Sequence, residues 1–125
     1  MREMIVTEKA PKAVGPYSQA IRFGNLLFVS GQIPLDPTSG EIVGRDIEVQ
    51  TRQVLENLKA IVEASEMGLE DTLKCTCFLQ NMEHFARFNS VYNTYFADIL
   101  PARETVEVSR LPKEVLVEIS AVCGK

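Results

Sequence analysis

The strongest constraint on the fold is a pair of amphipathic helical stretches separated by one strand-like run. Residues 47–66 carry apolar side chains at helical spacing after Asp46, a favourable helix N-cap, and Gly68 is placed to end the helix. Residues 83–98 repeat the helical pattern, whereas residues 72–79 between the two stretches read as a strand. Because strand–helix–strand connections cross over with one hand, we expect both helices to lie on the same face of one sheet.

Short β-rich runs account for the other predicted elements. They lie at residues 4–6, 18–23, 26–30, 104–109 and 115–122. Gly24-Asn25 is typical of a two-residue hairpin between the second and third runs, and the last two runs are close enough along the chain to pair as another hairpin. The predicted order is β-β-β-α-β-α-β-β, which indicates an α+β fold. A length of 125 residues is typical of one domain, so we expect a single domain over residues 1–125.

The second face of this sheet has no cover from its own chain. Both predicted helices lie on the first face, and no further helix is available in the sequence. An exposed sheet face of that size is unusual for a monomer, because its apolar part has to be removed from water. The element order alone therefore predicts an oligomer.

Charge, cysteine content and hydropathy exclude several classes of protein. The net charge is −4 and the Lys and Arg residues are scattered, so the basic surface of a nucleic-acid-binding protein is missing. Three cysteines, two of them at Cys75 and Cys77 in one strand, favour buried thiols in a reducing compartment. Neither a signal peptide nor an apolar run of membrane-spanning length is present in the sequence. We therefore expect a cytoplasmic protein with no membrane and no nucleic-acid partner.

Metal, nucleotide and histidine chemistry are also disfavoured. The only histidine, His84, stands at the start of a helix beside Phe85, where a packing or surface role is typical. One histidine and three cysteines at these spacings match no zinc pattern, so no metal ligand is predicted. The sequence contains no P-loop, no GxGxxG and no GxSxG motif.

The last third of the chain offers charged side chains in strands. With period two, one face of the strand after Pro101 carries Arg103, Thr105, Glu107 and Ser109, and one face of the final strand carries Leu116, Glu118 and Ser120. We expect both mixed faces to meet a neighbouring subunit, with the apolar faces under the helices. An Arg fork binds small carboxylates, and a Glu in a partly dry cleft can act as acid or base. The same residues equally fit solvated strand charges or an intersubunit salt bridge.

Three further segments place polar groups where a ligand can reach them. Tyr17 follows a rigid Gly-Pro turn, and Ser30-Gly31 ends a strand with a small, backbone-exposing pair. Asn89 lies within the second helix. The alternative interpretation is a strand end with ordinary turn residues, and an Asn that bonds to an adjacent loop.

Together these segments resemble the RidA/YjgF family. The motifs are GPYSQA at 15–20, FVSGQIP at 28–34, FNSVYNTYF at 88–96 and PAR-x-x-VEVSRLPKEVLVEI at 101–119. They span nearly the whole chain in the family's order. The resemblance implies a chorismate-mutase-like fold with a single mixed β-sheet and two helices on one face. It also implies a homotrimer with clefts between subunits, and it places the 72–79 strand between the last two strands.

The resemblance also implies an activity. Family enzymes hydrolyse reactive enamine and imine acids, such as 2-aminoacrylate and 2-iminobutanoate, to 2-keto acids and ammonia. Pyridoxal-phosphate-dependent dehydratases release these small-molecule substrates, and the hydrolysis requires no cofactor. By resemblance, Arg103 and Glu118 are the catalytic residues, gripping the substrate carboxylate and positioning water. The substrate-binding residues implied in the same way are Tyr17, Ser30, Gly31, Asn89 and Thr105.

Two residues depart from the family pattern. Position 104 is Glu where a small residue is usual, and alternation along the strand predicts that Glu104 points away from the pocket. Position 120 is Ser where a second glutamate is frequent, which alters the charge balance expected in the cleft. Two other functions remain open at this point: a non-catalytic trimeric metabolite-binding or regulatory protein, and a ribonuclease or translation inhibitor. The acidic net charge argues against the second of these.

Overall fold

The computed structural model describes residues 1–125 as one six-stranded sheet packed against two α-helices. In chain order the elements are β1 (Arg2–Ile5), β2 (Ala20–Phe23), β3 (Leu26–Gln32), α1 (Ile47–Ala64), β4 (Thr72–Leu79), α2 (Phe85–Phe96), β5 (Ala102–Glu107) and β6 (Val117–Gly124). Short 3₁₀ turns precede β4, α2 and β6. The predicted β-β-β-α-β-α-β-β order is confirmed. No helix has the length and apolar character needed to span a membrane.

The sheet is mixed and its strand order is β1-β2-β3-β6-β4-β5. β4 runs parallel to β5 and antiparallel to β6, so it lies between the last two strands, as the resemblance implied. The hairpin predicted from the residues alone is wrong. The apolar strand β4 buries every second or third side chain and is paired on both sides, whereas β5 is more exposed and is left at the edge.

Both helices pack on one face of the sheet, as predicted. Their largest fully buried side chains include Leu55, Leu58 and Ile61 of α1 and Phe88 and Phe96 of α2. They meet alternate residues of the central strands, such as Cys77 of β4 and Ile119 of β6, which are also fully buried. Each such large apolar side chain stabilises the fold by about 1.5–3 kcal/mol through removal from water.

The ends of α1 confirm one prediction and correct another. The Asp46 side chain accepts hydrogen bonds from the amides of Glu48 and Val49, so it is the N-cap. Gly68 does not end the helix: α1 stops at Ala64, and Glu66 adopts the left-handed conformation with φ 65°. The chain turns early because the amide of Met67 donates to the Val62 carbonyl, and this turn buries the Met67 side chain in the core.

The opposite face of the sheet is uncovered and partly apolar. Large side chains on it that remain more than a third exposed include Met4, Phe28 and Val106. They belong to β1, β3 and β5, so the exposed positions extend across the sheet. This open face is the surface that the element order predicted to need a partner.

Candidate active site

A glycine on β3 and a carboxylate on β6 form the closest-packed part of the site. Because Val117 and Ile119 point into the core, their neighbour Glu118 points to the open face. The pairing of β3 with β6 shifts register between Val29 and Gln32, which is a bulge that brings Gly31 next to this carboxylate. A Cβ atom on Gly31 would overlap Oε2 of Glu118 and lie 2.9 Å from its Cδ. Only glycine leaves room for the carboxylate in this position.

The structure brings four of the predicted site residues into one cleft. Tyr17, Ser30, Gly31 and Glu118 line a cavity of about 480 Å³ together with residues of the 11–14 loop and of the turn before β6. The Tyr17 ring is 52% exposed, so it stands at the mouth of the cleft and not in the core. These four residues come from three separate parts of the sequence, and the fold places them side by side.

The Ser30 hydroxyl donates its hydrogen within the chain. Its Oγ donates to the Ser18 carbonyl at 2.6 Å, and the Ser30 amide donates to the Gln19 carbonyl at 2.9 Å. The remaining lone pairs of Oγ are therefore acceptors only. In this state Ser30 can receive an N–H from a ligand, but its hydrogen is unavailable for a carboxylate.

Glu118 is a half-buried carboxyl in this cleft. Burial raises its pKa above the ordinary value of 4.5, and no neighbouring charge or hydrogen bond contributes to the shift. A carboxylate that is poorly solvated and not held by a cation is a suitable acceptor for a proton from water.

Arg103 lies on the other face of the sheet, and the predicted orientation of β5 is wrong. Arg103 and Thr105 pair in parallel register with Cys75 and Cys77, which are fully buried beneath the helices. Val106, on the apolar strand face that was expected under the helices, is instead 45% exposed on the open face. As an edge strand, β5 is covered on its helix side only by α2, so a charged side chain reaches solvent along that helix.

The Arg103 guanidinium is held by residues of α2. Its Nη1 donates to Oδ1 of Asn89 at 2.7 Å. Its Cζ lies 4.7 Å from the ring centroid of Tyr92, 5.6 Å from that of Phe85 and 6.0 Å from that of Phe88. Asn89 thus lies beside Arg103. The three rings belong to the amphipathic pattern predicted for residues 83–98, and their spacing around Asn89 places them on one helix face.

Thr105 extends the Arg103 group along the same strand. Its Oγ1 is buried with only the weak Cys77 thiol as a partner. The neighbouring thiols are not nucleophiles, because burial raises the pKa of Cys75 to about 11 and that of Cys77 to about 12. No group of three or more His, Cys, Asp or Glu side chains is arranged to hold a metal ion.

The seven predicted site residues therefore form two half-sites. The first half-site, on the open face, consists of Tyr17, Ser30, Gly31 and Glu118. The second half-site, between β5 and α2, consists of Asn89, Arg103 and Thr105. Because the sheet separates the two groups, one chain does not bring Arg103 to Glu118. Glu104 also lies on the open face, away from Arg103, and is paired with Lys74 at 3.0 Å.

Comparison with known proteins defines the class. The sequence profile of the family described as Endoribonuclease L-PSP matches residues 7–124. The chain belongs to this family, which is the RidA/YjgF family indicated by the sequence motifs.

Particular relatives cover essentially the whole chain. A RutC family protein of Pyrococcus horikoshii is 59% identical over 125 residues, which is 100% of this chain and 99% of the relative. The 2-iminobutanoate/2-iminopropanoate deaminase of Escherichia coli K12 is 45% identical over 125 residues, covering 98% and 97%. The structure of E. coli TdcF with bound serine superposes with a TM-score of 0.94 at 42% identity, covering 98% of each chain.

Proposed function

We propose that this protein hydrolyses 2-imino and 2-enamino acids to 2-keto acids and ammonia, at sites formed between copies of the chain. The observation that carries the proposal is the Glu118 carboxylate packed on Gly31 in an open cleft, with the Arg103 guanidinium held by Asn89 on the opposite face. The deaminase name of the E. coli relative supports the same reaction class. The substrates that the family resemblance implies, such as 2-iminobutanoate and 2-aminoacrylate, have small neutral side chains. Their hydrolysis therefore needs only a group that binds the carboxylate and a group that accepts a proton from water.

Arg103 binds the substrate carboxylate in this proposal. A guanidinium has five N–H donors, and Asn89 accepts from only one of its nitrogens, so an edge of the fork remains for two parallel hydrogen bonds. Fixing the carboxylate orients the adjacent C=N carbon toward the attacking water, which lowers the entropic part of the barrier. Thr105, whose buried hydroxyl has only the weak Cys77 thiol as a partner, adds a further donor or acceptor beside the arginine.

Glu118 activates the water. The carboxylate accepts a proton as the water oxygen adds to the imine carbon and passes that proton to the nitrogen, which gives a neutral tetrahedral adduct. The C–N bond then breaks as the hydroxyl proton of the adduct moves, through the same carboxylate, to the leaving nitrogen, which departs as ammonia. Ser30 accepts an N–H of the departing nitrogen, because its own hydrogen is committed to Ser18. Tyr17 covers the mouth of the cleft. The balance is one imine and one water consumed, with one keto acid and one ammonia released, and no cofactor takes part.

A second copy of the chain supplies the missing half of each site. Arg103 and Glu118 face opposite sides of one sheet, so an Arg103 group from one subunit has to meet the Glu118 cleft of another. The uncovered apolar face offers the surface for such packing. A homotrimer, the assembly that the family resemblance implies, gives three equivalent sites. The three free cysteines fit a reducing, cytoplasmic location.

The test is a coupled assay in which threonine dehydratase generates the imine and the keto acid is followed. Wild-type protein should accelerate keto-acid release, and Arg103→Ala and Glu118→Gln should each lower the rate gain at least about 100-fold. Glu56→Gln, on the outer surface of α1, is the matched control for loss of one carboxylate. No acceleration by folded wild-type protein would contradict the proposal.

Two other functions are distinguished by the same variants. A binding protein without turnover is favoured by the serine bound to E. coli TdcF, and it would bind 2-ketobutyrate without accelerating imine hydrolysis. A ribonuclease is favoured by the family description and by the names of some solved relatives, while the net charge of −4 disfavours it. RNA cleavage that persists in Glu118→Gln and Arg103→Ala preparations would identify a contaminant.

A further inference from the structure

Three aromatic rings of α2 form a floor beneath the Arg103 guanidinium. Phe85, Phe88 and Tyr92 recur at three- and four-residue spacing and turn their rings toward the same cation, at 4.7–6.0 Å from its Cζ. The rings also pack against each other in sequence, with centroids 6.2 Å apart for Phe85 and Phe88 and 5.7 Å apart for Phe88 and Tyr92. This aromatic floor is rigid because Phe88 is fully buried and Tyr92 nearly so.

We propose that the aromatic floor of Phe85, Phe88 and Tyr92 is a positioning element that fixes the plane of the Arg103 guanidinium for carboxylate capture. The inference rests on the proposed function and adds residues whose action goes through Arg103. The negative ring faces attract the cation, and the Asn89 hydrogen bond at 2.7 Å sets its rotation in that plane. The unoccupied N–H edge of the fork is thereby held toward the substrate.

A flexible long side chain needs such support. An unrestrained Arg loses up to about 2 kcal/mol of rotamer entropy when a ligand orders it, and a pre-ordered one loses less. Lysine has no planar face to lie on the floor and no fork to offer the carboxylate. The floor therefore explains why the position between β5 and α2 suits arginine specifically.

Tyr92 acts through its ring and not its hydroxyl. The hydroxyl is buried with only the weak Cys75 thiol as a partner, and burial raises the pKa of the phenol, so it stays neutral beside Arg103. Because Phe85 is only partly buried, it offers the milder probe of the floor, since its loss leaves less of the core unfilled.

The test compares Phe85→Leu and Tyr92→Leu with Tyr95→Leu. Tyr95 is a partly buried aromatic of the same helix whose hydroxyl donates to Glu56 at 2.6 Å on the other side, away from Arg103. We expect the two floor variants to raise KM, and the Kd for 2-ketobutyrate by calorimetry, about 2–5-fold each, in line with cation–π energies at partly exposed sites. Tyr95→Leu should leave both constants within twofold, and Tyr92→Phe should restore the values lost in Tyr92→Leu.

A double-mutant cycle separates positioning from general destabilisation. In an Arg103→Gln background, Phe85→Leu should cause no further rise in KM or Kd, because no cation then lies over the rings. Equal losses in both backgrounds, or an equal effect of Tyr95→Leu, would overturn the inference. The Kd measurement does not depend on turnover. Wild-type protein that binds 2-ketobutyrate but does not hydrolyse imines would refute the proposed function, and the Kd values of the floor variants would then still decide whether the floor positions Arg103. Wild-type protein that binds no carboxylate would overturn both.

Discussion

At the residue scale, the decisive contact is the one between the Cα of Gly31 and the carboxylate of Glu118. The bulge in β3 places Gly31, which has no side chain, next to the half-buried Glu118 of β6. The same burial that raises the pKa of Glu118 also leaves its oxygens facing a cleft and not a protein partner. Such a costly arrangement, an unpaired carboxylate in a partly dry site, is typical of catalytic positions.

Replacing Gly31 by Ala should displace the carboxylate. The added Cβ would lie 2.9 Å from Cδ of Glu118, so the acid has to rotate out of position. We expect Gly31→Ala to lower kcat at least about 100-fold, because a shift of one ångström at a catalytic group is enough for such a loss. Gly40→Ala is the control: Gly40 has φ 75° and open space around it, so its replacement costs stability and leaves kcat unchanged. Equal kcat for Gly31→Ala and wild type would remove Glu118 from the mechanism.

The pH dependence of the reaction follows from the raised pKa of Glu118. The carboxyl must be ionised to accept a proton, so kcat/KM should rise with pH through a pKa above the ordinary 4.5 of glutamate and level off beyond it. Glu118→Gln should remove this acidic limb and leave a low, flat profile. The measurement is the enzymatic rate from pH 4 to pH 8 after subtraction of uncatalysed imine hydrolysis. A limb that persists in Glu118→Gln would assign the pKa to another group.

At the element scale, alternation along β5 and β6 determines which groups can act together. β6 sends Glu118 to the open face, while β5 sends Arg103 toward α2, where Asn89 and the aromatic floor hold it. Glu104, between Arg103 and Thr105, is directed to the open face and pairs with Lys74. A single-residue shift of register in β5 would exchange these positions.

The placement of Glu104 can be tested against that of Asn89. Glu104→Ala should leave KM within twofold, because its exposed ion pair with Lys74 lies on the other side of the strand and contributes at most about 1 kcal/mol to stability. Asn89→Ala should raise KM about tenfold, since it frees the Arg103 fork to rotate. Steady-state kinetics of both variants is the measurement. A tenfold rise for Glu104→Ala as well would place Glu104 in the pocket.

The elements were more predictable from the sequence than their orientation. Periodicity located both helices and the strand Thr72–Leu79, because a buried strand and an amphipathic helix each have a clear apolar repeat. The face of β5 was misassigned because Val106 appeared to be a core residue, whereas the strand lies at the edge of the sheet. Strand order across the sheet depends on long-range pairing, which residue patterns do not encode. The aromatic floor was missed for a related reason: its rings look like core residues until the cation above them is located.

At the scale of the whole molecule, the uncovered sheet face and the divided site have one explanation. One chain presents Glu118 on the open face and Arg103 on the helix side, and a large apolar area around Phe28 remains in water. In the proposed assembly, packing of copies in a closed ring would remove that area from solvent and join unlike half-sites. Assembly and activity are therefore expected to depend on each other.

A charge on the open face should uncouple the copies. Phe28 and Val49 are each 46% exposed, but Phe28 lies on the open face of β3 and Val49 on the outer surface of α1. We expect Phe28→Glu to give monomers by light scattering and to abolish imine hydrolysis, because an unpaired carboxylate cannot be buried in the interface. Val49→Glu should leave both mass and activity unchanged. Full activity in monomeric Phe28→Glu would show that one chain suffices.

The central claim, that each site joins Arg103 of one copy to Glu118 of another, is tested most directly by mixing two inactive variants. Arg103→Ala and Glu118→Gln chains are unfolded together in equal amounts, refolded, and assayed beside each variant refolded alone. In a closed ring with random mixing, about one quarter of the sites receive an intact Arg103 and an intact Glu118 from adjacent copies, so about one quarter of wild-type activity should return. Activity that stays at the level of the separate variants, with mixed assemblies demonstrated by mass spectrometry, would contradict the claim.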